Sequence, residues 1–376
     1  MTTRGILAAL SLALVTLSAA ADDFDPAPII EHLSLREADT PMANKPGWAP
    51  KKIVAFLLPM SKETRAAYVA ALKEAAGEAE LVLAKRGGGA LSENVLADVD
   101  AVIGMCTPIL LKNAGPNLRW IHNYSVGLDH CKGATQEQLE RITVTNNKRL
   151  SGPAIAEHSI AMLLSLTRDL GTYHAAQAEG RWGLGFGRGV TFGELRGKTM
   201  LVVGLGGIGT EIARRAHGLG MRVIATRNSS RSGPEFVEYV GLSDELHKLA
   251  GQADVIANAL PLTPSTTGLF DNEFFAAAKP GALFLSVGRG KSTVTADLMA
   301  ALESGQLWGA ALDVTDPEPL PKGHPLWQME RVLITPHVSA AGADSMRRSA
   351  VIAAENLRRY VAGEKLLNEV DLAKGY

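Results

Sequence analysis

The stretch Val202-Val203-Gly204-Leu205-Gly206-Gly207-Ile208-Gly209 limits most strongly what this chain can fold into. An apolar run from Thr199 to Val203 meets a Gly-x-Gly-x-x-Gly turn, which opens into a helical pattern over Gly207–Leu219. In such a turn the first glycine makes the tight bend and the second lets a phosphate reach the backbone. The third lets the helix pack closely on its strand. The helix N-terminus aims unpaired N–H groups at the anion. Gly204, Gly206, Gly207, Ile208 and Gly209 are therefore expected to hold the pyrophosphate of a dinucleotide.

The turn sits inside a long alternation of short apolar runs and helical stretches. The expected strands around it are Thr199–Val203, Arg222–Ala225, Asp254–Asn258, Ala282–Ser286, Gly309–Asp313 and Val332–Thr335. An earlier series contains Lys52–Leu58, Ala101–Gly104 and Leu118–Asn123, with a helix over Lys62–Ala79. Alternation of this kind predicts parallel sheets covered on both faces. A long helix is expected over Ala154–Leu170, and another over Ala341–Ala362 that returns the chain to the first domain. The fold class is α/β, with two doubly wound parallel-sheet domains. A Rossmann dinucleotide domain (151–340) is inserted in a flavodoxin-like substrate domain (51–150 and 341–376). Residues 22–50, with five prolines, read as an irregular lead-in.

The strand after the glycine turn selects the nucleotide. A carboxylate about 20 residues on would hold the ribose hydroxyls of NAD. Here the strand end reads Thr226-Arg227-Asn228-Ser229-Ser230-Arg231, without a carboxylate. Guanidinium and hydroxyl groups suit a 2′-phosphate. Thr226, Arg227, Asn228, Ser229 and Arg231 are expected to favour NADPH, with NAD as a possible second cofactor. Pro261 and Asp313, at or just past strand ends of the same series, complete the expected cofactor set.

Three islands follow: Gly288-Arg289-Gly290, Asp313 through Glu318-Pro319, and Thr335-Pro336-His337. Each comes at the end of a strand, where open parallel sheets bind ligands. Arg289 can grip a carboxylate with two parallel hydrogen bonds. His337 is a proton donor suited to neutral pH. Glu318 offers the imidazolium a partner. Together they supply what reduction of a 2-keto acid demands. A Gly-x-Ser-x-Gly elbow and a His-Glu-x-x-His metal motif are missing, so a hydrolase is disfavoured and no metal is expected. The net charge of −1 offers no field for nucleic acid.

These residues, with Asn123 through Asp129, Ala156-Glu157-His158 and Leu195 through Thr199, make the chain resemble the D-isomer-specific 2-hydroxyacid dehydrogenase family. The resemblance runs from about Ala101 to Ala341. It implies that Arg289 binds the substrate carboxylate and keto oxygen, and that Glu318 and His337 form the acid/base pair. It implies that the Ser125-Val126-Gly127 turn cradles the carboxylate, and that the protein is a homodimer. Arg227 stands where the family commonly has Asp, a change that looks like the NADPH-dependent glyoxylate and hydroxypyruvate reductase branch. Gly288 stands where Ala or Ser is frequent, and reads as a neutral change. Residue patterns leave the particular 2-keto acid open.

Arg4 followed by the apolar run Gly5–Ala21, ending in Ala19-Ala20-Ala21, has the form of a secretory leader cleaved near Ala21. Export to the periplasm and no membrane span after cleavage are expected; a leader left unused would mean a cytoplasmic protein. Export keeps a second reading open, a nucleotide-holding sensor with little turnover. Cys106 and Cys131 either pair once or remain buried thiols, and buried thiols are the favoured reading.

Overall fold

The computed structural model describes residues 24–84, 96–128, 130–182 and 190–371. The leader expected over 1–21 lies outside the described residues. The chain divides into two compact units, Met1–Leu150 with Gly342–Tyr376, and Ser151–Ala341.

The first unit begins with α1 (Ala27–His32), β1 (Lys52–Phe56), α2 (Lys62–Ala76), β2 (Glu80–Ala84) and β3 (Ala101–Gly104). It continues with α3 (Pro108–Asn113), β4 (Trp120–Asn123), α4 (Gln136–Arg141) and β5 (Thr143–Asn146). The second unit carries α5 (Gly152–Thr167), α6 (Leu170–Ala178), β6 (Thr199–Val203), α7 (Gly207–Gly218), β7 (Arg222–Thr226) and β8 (Tyr239–Gly241). Then come α8 (Leu246–Ala250), β9 (Val255–Asn258), α9 (Asn272–Ala277), β10 (Ala282–Ser286), α10 (Thr295–Glu303), β11 (Leu307–Leu312) and β12 (Val332–Ile334). The chain returns to the first unit with α11 (Ala343–Val361) and β13 (Glu369–Val370).

In the second unit seven strands pair in the order β12-β11-β10-β9-β6-β7-β8, all parallel. The order reverses between β6 and β9, which is the doubly wound pattern with its ligand crevice at the switch point. Buried on both faces, β6 alternates: Met200 and Val202 enter one core, Leu201 and Val203 the other. Each is 0–2% exposed, so each contributes roughly 1.5–3 kcal/mol by burial. The first unit's sheet runs β13-β5-β4-β3-β1-β2, parallel apart from β13. Its order 2-1-3-4-5 is the flavodoxin-like one. Tyr68 and Leu72 of α2 and Leu357 and Tyr360 of α11 share one of its cores.

The fold class is the expected one, and several details differ. Residues from 24 onward in the lead-in are ordered by packing: Ile29, Leu33 and Leu35 are buried against Leu150, Val351, Ile352 and Leu367. Prolines set the turns there, but apolar side chains decide the structure. The single helix expected to reach Leu170 is instead two helices, parted at Asp169, whose φ of 54° is left-handed. Strands β2 and β8 at sheet edges, and β5 beside the two-residue β13, are short and not marked by periodicity. Cys106 and Cys131 form a disulfide, where free thiols were favoured, with their Cα atoms 4.9 Å apart. The two residues follow β3 and β4, whose register Gly104↔Asn123 sets the loops side by side. Among the described residues no helix is long and apolar enough to cross a membrane.

His122, in the middle of the first sheet, is fully buried. Thr145 Oγ1 accepts from Trp120 Nε1 at 3.0 Å and lies 2.9 Å from His122 Nδ1. Burial pushes its pKa from 6.5 down to about 4, opposed by Asn147. The unfolded chain takes up a proton at His122 below pH 6.5 and the folded chain does so only below about 4. Stability conferred by the neutral ring is thus complete above pH 6.5, falls by on the order of 3 kcal/mol down to pH 4, then levels off. Urea unfolding at stepped pH should show this slope, and His122→Leu should flatten it. An unchanged slope in the variant would mean that other groups carry the acid sensitivity.

Candidate active site

Every candidate side chain of the second unit leaves the sheet at the carboxyl ends of its strands. Along that edge the strands run β7, β6, β9, β10, β11, β12, about 4.8 Å apart. The arginine-rich loop after β7 is therefore next to the glycine turn after β6. The loops bearing Arg289, Glu318 and His337 follow β10, β11 and β12, which are neighbours.

Gly204 has φ of +96°, and an added Cβ would meet Leu260 Cδ2 at 2.9 Å. A Cβ on Gly209 would stand 2.1 Å from Gly204 O, so only glycine lets α7 rest on the strand end. A Cβ on Gly206 would meet nothing within 4 Å. This is the arrangement a pyrophosphate requires: two glycines for backbone contact, and a third facing open space beside a helix N-terminus. The N–H groups of Gly204 and Leu205 both donate to Thr226 O, at 3.2 and 2.9 Å, tying the turn to the end of β7. Arg227 is half-buried there, its N–H donates to Gly241 O and its Nη1 to Ser232 O. Asn228 and Ser229 are exposed beside it. Arg231 departs from expectation. Its guanidinium pairs with Glu245 at 2.5 Å and with the Tyr239 hydroxyl at 3.0 Å, partners that Arg227 does not share. Pro261 lies in the loop after β9, its carbonyl fixed by Thr266 Oγ1 at 2.7 Å.

Arg289 is held by close backbone packing on both sides. A Cβ on Gly288 would come within 2.6 Å of Leu260 O, and one on Gly290 within 1.8 Å of Thr315 O. Gly288 is therefore no neutral replacement in this chain, because the loop after β9 has closed on it. Buried Asn258, last residue of β9, donates to Ser286 Oγ and Ser292 Oγ, and Ser292 Oγ donates to Arg289 O at 2.6 Å. Glu318 stands in a segment whose Asp316 carbonyl accepts from Thr295 Oγ1 at 2.6 Å. Its Oε1 lies 2.6 Å from His337 Nδ1, with the two side chains 40% and 43% exposed. Exposure of that degree makes the pair a minor contributor to stability; its effect is to orient the ring.

Asp313, expected to contact the cofactor, also organises the protein itself. It is 1% exposed, and the chain itself takes both oxygens. Oδ1 accepts from Thr335 Oγ1 (2.6 Å) and Val338 N (2.9 Å), and Oδ2 from Ser339 N (3.0 Å). His337 N donates to Asp313 O at 2.9 Å. The buried carboxylate thus folds the 335–339 loop and holds His337 at its left-handed φ of 53°. His158 Nε2 is 2.9 Å from Thr335 Oγ1. That hydroxyl donates to Asp313, so His158 donates to it. Sequence reading missed Asn258, Thr335 and His158 in these roles. Their signal is a polar residue, buried or half-buried, at a strand end or on the covering helix.

In the first unit, Ser125-Val126-Gly127 follows β4. The carbonyls of Tyr124, Ser125, Val126 and Gly127 accept from the side-chain amides of Asn147 (2.7 Å), Asn123 (3.0 Å), Asn146 (2.6 Å) and Asn123 (3.2 Å) respectively. With the carbonyls so engaged, the N–H groups of Ser125, Val126 and Gly127 have no acceptor among the described residues. Successive N–H groups on a half-buried turn are donors that an anion can use.

Comparison with known proteins agrees with this geometry. The sequence profile of the D-isomer specific 2-hydroxyacid dehydrogenase NAD binding domain matches residues 160–339. A mouse glyoxylate reductase/hydroxypyruvate reductase is 34% identical over 271 residues, 70% of this chain and 80% of that protein. A D-isomer specific 2-hydroxyacid dehydrogenase from Xanthobacter autotrophicus, solved with NADPH and MES, superposes with a TM-score of 0.71 at 30% identity. The match covers 87% of this chain and 100% of that one. The NADPH-dependent glyoxylate/hydroxypyruvate reductase of Sinorhizobium meliloti, solved with NADP and sulfate, gives 0.71 at 29% identity, over 87% and 100%. The chain belongs to the D-isomer specific 2-hydroxyacid dehydrogenase family, whose members are NAD(P)-dependent oxidoreductases.

The two kinds of glycine in the turn should separate in experiment. Gly209→Ala forces α7 off its strand and should cost about 1–3 kcal/mol of stability. Gly206→Ala should leave the melting temperature unchanged yet weaken dinucleotide binding about tenfold, ~1.4 kcal/mol. Calorimetry with and without NADPH reads both; equal melting losses would contradict the assignment.

Proposed function

We propose that this protein reduces a small 2-keto acid of the glyoxylate or hydroxypyruvate type to the D-2-hydroxy acid, with NADPH as preferred cofactor. The observation that carries the reading is the 2.6 Å contact between His337 Nδ1 and Glu318 Oε1, on strand ends adjoining that of Arg289. With Nδ1 committed to the carboxylate, Nε2 is the atom that gives a proton to the keto oxygen. Glu318 fixes the ring's tautomer and faces the imidazolium with a negative charge. Arg289 binds the carboxylate and keto oxygen of the acid in this reading; the family resemblance separately implies that the Ser125–Gly127 turn takes the substrate carboxylate. Bound NADPH supplies the hydride for the keto carbon. Gly204, Gly206, Gly207, Ile208 and Gly209 would hold its pyrophosphate and Arg227 its 2′-phosphate. In the reverse direction neutral His337 takes the proton back.

The glyoxylate/hydroxypyruvate reductase names of the mouse and Sinorhizobium proteins support the substrate class. Glyoxylate and hydroxypyruvate each present a carboxylate beside a carbonyl, which suits the two-pronged grip of a guanidinium. The Cys106–Cys131 disulfide supports an oxidising compartment, in keeping with the leader pattern before Asp22. Export is accordingly part of the proposal, to be checked by fractionating cells that express the full chain. A homodimer is proposed from the family resemblance and is read by analytical ultracentrifugation.

NADPH absorbance with glyoxylate, hydroxypyruvate, pyruvate and bulkier keto acids tests the reading directly. His337→Ala should lower kcat by about 10²–10⁴-fold. Glu318→Gln should lower kcat with little change in KM. Arg289→Lys, which loses the two-pronged grip, should chiefly raise the keto-acid KM. Arg227→Ala should raise the KM for NADPH and leave that for NADH; equal effects would remove the phosphate assignment.

A further inference from the structure

The acid-binding turn is anchored to the disulfide. Asn123, the last residue of β4 and 0% exposed, spends both amide protons on the carbonyls of Ser125 and Gly127. Its Oδ1 accepts the backbone N–H of Cys106 at 3.0 Å. Cys106 is bonded to Cys131, which lies four residues past Gly127. The turn thus lies within a closed ring: Asn123, the segment running to Cys131, the sulfur bridge, Cys106, and back to Asn123 through one hydrogen bond. The ring is fixed to the sheet, because Tyr124 N donates to Gly104 O at 2.9 Å. Its far end is sunk in a core, where Cys106, Leu128 and Cys131 are 0%, 5% and 9% exposed.

Among the described residues, opening the bridge would leave the C-terminal end of this segment held by the packing of Leu128 and Cys131, since the bond from Cys131 N to Leu128 O at 2.8 Å lies within the segment. It would also free Cys106 to move away from Asn123 Oδ1, and so loosen the amide that aims two of the turn's carbonyls. Three successive N–H groups grip a carboxylate only while their directions agree, and small misplacements in a binding constellation are costly.

We propose that the Cys106–Cys131 disulfide and Asn123 form one positioning clamp that holds the Ser125–Gly127 turn in its carboxylate-binding form. Affinity for the keto acid then depends on the bridge, whereas affinity for the dinucleotide does not. The proposal rests on the reading above that this turn receives the substrate carboxylate. Asn123 and the cysteines are positioning residues, since none of them is assigned a contact with the reacting atoms.

The test uses the full chain with NADPH and glyoxylate. Dithiothreitol reduces the folded protein: the S–S bond takes up two electrons and two protons to give two thiols, and the reagent closes to its cyclic disulfide. A thiol-counting reagent verifies that both sulfurs are free. The glyoxylate KM should rise about tenfold or more. The Kd for NADPH, read by cofactor fluorescence, should stay the same, and kcat should change far less than KM. A Cys106→Ser/Cys131→Ser double variant should behave like the reduced protein and ignore dithiothreitol. Asn123→Asp keeps the acceptor for Cys106 but loses the donors to Ser125 and Gly127, and should raise KM with the bridge intact. Reduction of wild type remains decisive if a variant fails to fold. Turnover with the same KM in both redox states would overturn the clamp alone. Absence of turnover with every keto acid in the oxidised protein would overturn the carboxylate reading and the clamp with it.

Discussion

A parallel strand delivers whatever follows it to one edge of its sheet, and the chemistry of this protein depends on that constraint. Strand order, rather than chain order, decides which loops become neighbours. In the second unit the order places the loops after β7, β6, β9, β10, β11 and β12 in a row. Groups scattered from Gly204 to His337 thereby become a sequence of sites along one rim. The Arg-bearing loop lies at one end, the glycine turn next to it, and the Glu318–His337 pair towards the other end. An extended dinucleotide laid along such a rim meets them in that order.

Close backbone approach fixes the rim. Gly209 sits against Gly204 O, Gly288 against Leu260 O and Gly290 against Thr315 O, each too near for a side chain. These contacts lock neighbouring loops together without spending polar groups. The remaining polar groups are settled by buried side chains whose bonding is nearly complete: Asp313 for the loop of His337, Asn258 for the loop of Arg289, Asn123 and Asn146 for the turn after β4. A buried amide or carboxylate is costly unless satisfied. Such residues therefore select one backbone arrangement, and a reacting group placed on it inherits that precision.

Much of this was legible in the residues. The strand–turn–helix at Gly204 has a pattern that few other structures tolerate, and Arg289, Glu318 and His337 are each marked by a neighbouring strand and by Gly or Pro. Less legible were side chains whose role depends on distant partners. Asp313 looked like a cofactor contact because it ends a strand, yet its oxygens turn inward to Thr335, Val338 and Ser339. Arg231 looked equivalent to Arg227, and Glu245, fourteen residues on, claims it. Gly288 looked neutral until the approach of Leu260 was visible. The cysteine pairing followed from the register of β3 and β4, which spacing along the chain does not encode.

The sequence by itself determined the alternation of buried runs and helices, the dinucleotide turn, and the placement of Arg289, Glu318 and His337 at strand ends. Those features are local: they depend on glycine's missing Cβ, on apolar periodicity and on the chemistry of single side chains. Tertiary structure alone decided which polar side chains hold loops and which face outward, which arginine is taken up by Glu245, and that Cys106 and Cys131 meet. Those outcomes depend on strand order and register, where residues far apart in the chain come within hydrogen-bond reach and compete for the same partners.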